Sequence, residues 1–198
     1  MHDAIALFAA PRDDSPARRR IRRLSLPFQG LFLILAVLTA AAIVLLLIFA
    51  VAPGFGSIWI GPEGSWLILA RDLPPEGTIA FDGLPPSTQL TAGLAFGLIG
   101  GSLVAAFTWL SALFGAYRRG DVFGPVPQAH MTRSALCLIV FALAPGLLQP
   151  LLALVESPDR AWFHGQSLAA LMVGAVLLVL ARVMALGREV EQDARSFI

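Results

Sequence analysis

Apolar residues in this chain gather into four long runs rather than into the short periods of a water-soluble domain. Residues 28–51 carry no charged side chain, nor do 91–117 or 134–155, and 166–186 carry one, Arg182. A helix needs roughly 20 apolar residues to cross the hydrocarbon of a bilayer. Each run is long enough, so the pattern predicts four transmembrane helices. The first run follows basic residues, as a signal peptide would. A signal-peptide core is only about 7 to 15 residues long, so 28–51 is read as a retained anchor.

The polar intervals have characters of their own. The first, 1–27, is an arginine-rich arm that is expected to be disordered and cytoplasmic. Its cluster Arg18, Arg19, Arg20, Arg22 and Arg23 suits a topology signal or contact with anionic lipid. The interval 52–90 mixes Trp, Ile and Leu with Pro and Gly. Two short strands are expected in it, 66–70 and 78–81, paired as a small extracytoplasmic β-hairpin. Trp59 and Trp66 suit the head-group level there, as does Trp162 in the short loop 156–165. The fold class expected is thus an all-α membrane protein, a four-transmembrane-helix bundle forming one domain over 28–198, with the hairpin at one end.

Charge placement orients the bundle. All 14 basic residues are arginine. With the N-terminus inside, 12 fall in inner segments and 2, Arg71 and Arg160, in outer loops. Arginine favours the cytoplasmic side, so both termini are expected there. Arg182, near the end of its run, can reach the head groups along its own aliphatic stem.

Within the runs, Gly93, Gly97 and Gly101 are spaced to share one helix face. Such a face lets another helix approach closely, either within the chain or in a homo-oligomer. The third run contains Pro145 and Pro150, and a kink or break is expected there.

Chemistry is scarce. Cys137 is the one cysteine, and His2, His130 and His164 are far apart. No disulfide or four-ligand zinc site can be built from these within one chain. No phosphate loop, catalytic triad or paired-carboxylate motif is present. The chain is therefore not read as an enzyme, and no cofactor and no direct nucleic-acid contact are expected.

The polar island "GAYRRGDVFGPVPQAHMTR", 115–133, reads as the inner turn between the second and third runs. Arg118 and Arg119 close one helix, where cations suit the negative end of its dipole. Gly120 suits a left-handed stop, and Pro125 and Pro127 bar its continuation. Asp121 is the turn residue, and Phe123 is free to dip back against bundle or lipid. At the far end, Val190, Ala194 and Phe197 share a face of a continuing helix, with Glu189, Glu191 and Asp193 elsewhere around it. Contacts of membrane lipid or a cytoplasmic partner are expected at Arg118, Arg119, Asp121, Phe123, Glu191 and Phe197. The tail is first expected to latch onto the 116–133 turn, where Arg118 and Arg119 meet the acids and Phe123 meets Phe197, with a cytoplasmic partner held at the same place as the alternative.

The stretch "AYRRGDVFGP", together with the ending "EVEQDARSFI", resembles a bacterial membrane family, domain of unknown function 2975. Its members are similar in length, have four spans and often end in an acidic helix closing on Ser-Phe-Val or Ser-Phe-Ile. The resemblance covers roughly 28–198 and leaves the arginine-rich arm outside. It implies a bacterial cytoplasmic membrane. Genes of that family often sit beside a small helix-turn-helix regulator, which implies a membrane-embedded regulatory or sensory partner of a cytoplasmic transcription regulator. A small transporter or channel subunit is the alternative, using the glycine-bearing second run and the proline-bearing third.

Overall fold

A computed structural model describes residues 16–51, 57–60, 67–70, 79–83, 85–122, 124–153 and 165–196. Four helices dominate it: α1 (Pro16–Val51), α2 (Pro86–Arg118), α3 (Pro125–Ala153) and α4 (Gly165–Ser196). All four are long and apolar enough to cross a membrane. Three of them open on proline, whose missing N–H costs nothing in the first turn and whose fixed φ suits the helix. Large apolar side chains stand open on every helix. Leu38, Leu94, Leu147 and Val179 are each 60 % exposed or more. Apolar surface on that scale is a liability in water and the ordinary face of a helix in lipid. Together the helices define a multi-pass membrane protein.

Each helix packs broadly on its neighbours in sequence, α1 on α2, α2 on α3 and α3 on α4. The pairs run antiparallel. Ser111 of α2 donates a hydrogen bond to the carbonyl of Gln29, while Gly100, a few turns earlier, meets Ile43. On the other side of α2, Trp109 stacks on His130, and Ser134 donates to the carbonyl of Ala106 at 3.3 Å. The start of α1, the end of α2, the start of α3 and the end of α4 therefore share one end of the bundle. It is called the arginine-rich end below.

The seams are made of small residues. Ala106, Ala116, Ser134 and Ala135 are wholly enclosed. At Gly174 on α4, an added Cβ would stand 3.0 Å from both the carbonyl oxygen of Ala135 and Cγ1 of Ile139. At Gly100 it would stand 2.5 Å from Cδ1 of Ile43. Inside lipid, helices are held by close packing rather than by escape from water, so absent side chains bring backbones together. Of the two contacts expected for the glycine face, the one within the chain is not seen among the described residues. An added Cβ at Gly93, Gly97 or Gly101 would meet nothing within 4 Å. Among the described residues, no other helix covers that face. Gly100, one residue from the stripe and so about 100° around the helix, makes the contact instead.

Three further expectations need revision. Residues 16–27 are the first turns of α1, not a disordered arm, because arginine is a good helix former and the helix continues directly from the apolar run; residues 1–15 lie outside the described residues. Of the kink or break expected in the third helix, the break is absent, since α3 runs through Pro145 and Pro150 to Ala153. Lastly, the strands expected at 66–70 and 78–81 do not pair with each other. The segments seen there, β2 (Leu67–Ala70) and β3 (Ile79–Ala80), both pair antiparallel with β1 (Ser57–Ile60) in the order β2-β1-β3. Apolar Ile58, Trp59 and Ile60 supply a central strand with two edges. This small sheet lies in the connection between α1 and α2, away from the arginine-rich end.

Candidate functional site

The turn from α2 to α3 is built by its own backbone. Gly120 takes φ +87°, the left-handed conformation that costs glycine nothing. The N–H of Gly120 bonds the carbonyl of Tyr117, and the N–H of Asp121 bonds that of Ala116. These two bonds are the Schellman pattern that closes a helix on a left-handed residue. Asp121 Oδ1 then accepts from the N–H of Gly124 at 2.9 Å, and α3 opens on Pro125 directly afterwards. Pro127 is fully buried. The turn is thus held in shape at both ends, and the acid at 121 is occupied as a structural acceptor.

Arg118 and Arg119 stand exposed at the end of α2. Arg119 leans over Gly115, where its Nη1 and the amide of Gln29 occupy the space beside the missing side chain. Gln29 Oε1 is buried there without a hydrogen-bond partner among the described residues. Glu191 lies on α4, which continues as helix to Ser196. Phe123 and Phe197 lie outside the described residues, as does the proposed meeting between them.

Sequence reasoning missed a second cluster. Trp109 of α2 stacks on His130 of α3, with ring centroids 5.4 Å apart. One turn further along α3, the guanidinium carbon of Arg133 sits 4.7 Å from the centre of the Trp109 ring. The span boundary expected at 134 put Arg133 in the turn. In fact α3 starts at Pro125, so Arg133 is two turns in, about 12 Å along the axis. A row of rings lies on the other side of α2. Phe114 stacks on Phe28 at 5.3 Å and on Phe32 at 5.6 Å, and meets Tyr117 edge-on. Leu113, Met131 and Ala181 close a buried cluster of α2, α3 and α4 at the same level. No spacing rule connects residues 109 and 130, which lie on different helices. Only the depth at which the helices pair could have pointed to them.

Among the described residues, no three His, Cys, Asp or Glu side chains come together as metal ligands. The buried polar side chains there are serines, Ser25, Ser111, Ser134 and Ser167. Three of these donate to backbone carbonyls, the usual way a hydroxyl is satisfied in lipid. Comparison of the chain with protein-family models, with curated proteins and with solved structures gives no match.

Proposed function

We propose that this is a cytoplasmic-membrane protein of bacterial type, with both termini and the α2–α3 turn in the cytoplasm and the small sheet outside. It acts there as a membrane-embedded regulatory or sensory partner of a cytoplasmic helix-turn-helix protein, without touching nucleic acid itself. The observation that carries this reading is the run of α4 as a regular helix to Ser196, past the apolar span that ends at Arg188. A terminal helix of two to three turns is marginal in water unless something lies against it. The fixed turn at 119–124 stands at the same end of the bundle and offers a shaped neighbour. The sidedness rests on the distribution of arginine, and the kind of partner on the resemblance drawn from "AYRRGDVFGP" and the acidic ending. The transporter alternative uses a kinked third helix and a glycine-rich second one. The buried serines that donate to backbone carbonyls give it no support.

The test compares full-length protein with a chain lacking residues 188–198, each purified from native membranes. A DNA-binding protein that co-purifies with the full chain, and rebinds it once both are pure, is the expected result. If the truncated chain retains the same companions and the same stability, the tail is not a docking element.

A further inference from the structure

Arg133 is an exposed cation two turns inside α3, and among the described residues no carboxylate pairs with it. Its depth is informative. Arg133 directly precedes the uncharged run 134–155, and from Arg133 to Ala153 α3 rises about 30 Å, the thickness of a hydrocarbon core. Arg133 thus stands at the edge of that run, and Trp109, whose ring centre is 4.7 Å from its guanidinium carbon, lies at the same level, where indole and guanidinium groups both prefer to lie. Ser111 bonds Gln29 and Ala181 packs with Leu113 and Met131. These contacts bring α1 and α4 to a nearby level.

At that edge the indole face supports the guanidinium from one side. This fixes its position and, among the described residues, leaves the N–H edge of the fork free. His130, stacked on the same ring, stiffens the platform. The charged groups that act on His130 are both cations, Arg133 and Arg119. The one acid of the turn, Asp121, is committed to Gly124. A planar fork of donors with no anion, held at head-group depth between two helices, is matched to the oxygens of a phosphate.

We propose that Arg133, seated on Trp109 and braced by His130, binds a phosphate group at the seam of α2 and α3. The phosphate belongs either to an anionic phospholipid of the adjoining leaflet or to a soluble phosphoanion. This inference does not depend on the regulatory reading.

The test uses the full chain with Trp59, Trp66 and Trp162 replaced by Phe, so that Trp109 alone reports. The protein is placed in nanodiscs of phosphatidylcholine or of an equal mixture with phosphatidylglycerol, one lipid at a time carrying brominated acyl chains. Bromine quenches an indole that it touches, so the ratio of the two quenching curves gives the relative affinity at this seam. One unpaired cation near the surface is expected to give about a fivefold preference for the anionic lipid. Arg133→Gln should bring that preference close to unity. Arg182→Gln, an exposed arginine near the same level on α4, should leave it in place. If inorganic phosphate shifts Trp109 emission in purely zwitterionic discs, and Arg133→Gln abolishes the shift, the ligand is a soluble phosphoanion. Equal quenching by the two lipids with no response to inorganic phosphate overturns the proposal. So does an equal loss with Arg182→Gln, which would make the preference a property of surface charge in general. Should Arg133→Gln fail to insert, the ratio in the parent protein and in Arg133→Lys still decides.

Discussion

Replacing glycine by leucine at two places on two helices tests the packing directly. At Gly97 an added Cβ meets nothing within 4 Å. Relative to glycine, a helical leucine gains up to about 1 kcal/mol from reduced backbone entropy. Gly97→Leu should therefore be neutral or slightly stabilising. At Gly174 the first added carbon already stands 3.0 Å from the carbonyl oxygen of Ala135 and from Ile139 Cγ1, and 3.4 Å from Leu138 Cβ. The carbonyl belongs to the backbone of α3 and cannot rotate away as a side-chain tip would. Three more carbons must then force α3 and α4 apart. Overpacking of this kind costs typically about 1 to 3 kcal/mol, and separating the helices also gives up the close contacts around Ala135. Gly174→Leu should fall at the upper end of that range, against a gain of at most about 1 kcal/mol from propensity. The two variants have the same chemistry and should differ by about 3 kcal/mol, on the order of a hundredfold in the detergent denaturation equilibrium of the purified protein. Equal destabilisation would refute the assignment of seams. If the loss at Gly97 also shrank with increasing protein concentration, the 93/97/101 face would be the contact of a homo-oligomer, whose stability depends on the concentration of protomers.

Two further substitutions and a topology map follow. Among the described residues, His130 Nδ1 and Gln29 Oε1 are buried without hydrogen-bond partners, and each such atom costs about 1 to 3 kcal/mol. Their replacements His130→Phe and Gln29→Leu should leave thermal stability unchanged or raise it; a clear fall would mean that both atoms have partners in the membrane. Alkaline phosphatase fused after Ser15, Gly77 or Ile198 should be active only at Gly77, and activity at either end would reverse the sidedness.

The four helices were legible because the signal that makes them, long uncharged runs, is local and strong. Their ends were less so. Apolar runs mark where lipid begins, whereas helices end where capping chemistry ends them. Arg18 to Arg23 therefore fall on α1, and Pro125 rather than Ser134 opens α3. The turn at Gly120 was readable because one residue type fits that backbone conformation. The glycine face was not. Spacing places Gly93, Gly97 and Gly101 on a common face but says nothing about where that face looks. One step around the helix, Gly100 carries the seam. Of the candidate site, Arg118, Arg119 and Asp121 were found by position in the turn. Trp109, His130 and Arg133 were not, because their relation exists only between two helices at matched depth.

That matched depth also explains where the protein is best packed. Leu113 and Met131 are larger apolar side chains that are closely buried, and both lie at the arginine-rich end, beside the ring stack of Phe28, Phe114 and Tyr117. In the body of the spans, burial falls mainly to alanine and serine, with Leu138 as an exception. In mid-bilayer a leucine gains nothing by leaving lipid for a neighbouring helix, so the seams there need only small residues that allow close approach. At the head-group level water is present, and apolar side chains are again driven together. The overrun of α1, α3 and α4 past their apolar runs thus has a physical use. It carries the helices into a zone where a hydrophobic core can form, and that core fixes their register. The turn at Gly120 and the Arg133–Trp109 pair are built on this end, where larger apolar side chains pack together. A surface that must present a constant shape to a lipid phosphate or to a protein is served by such a core beneath it.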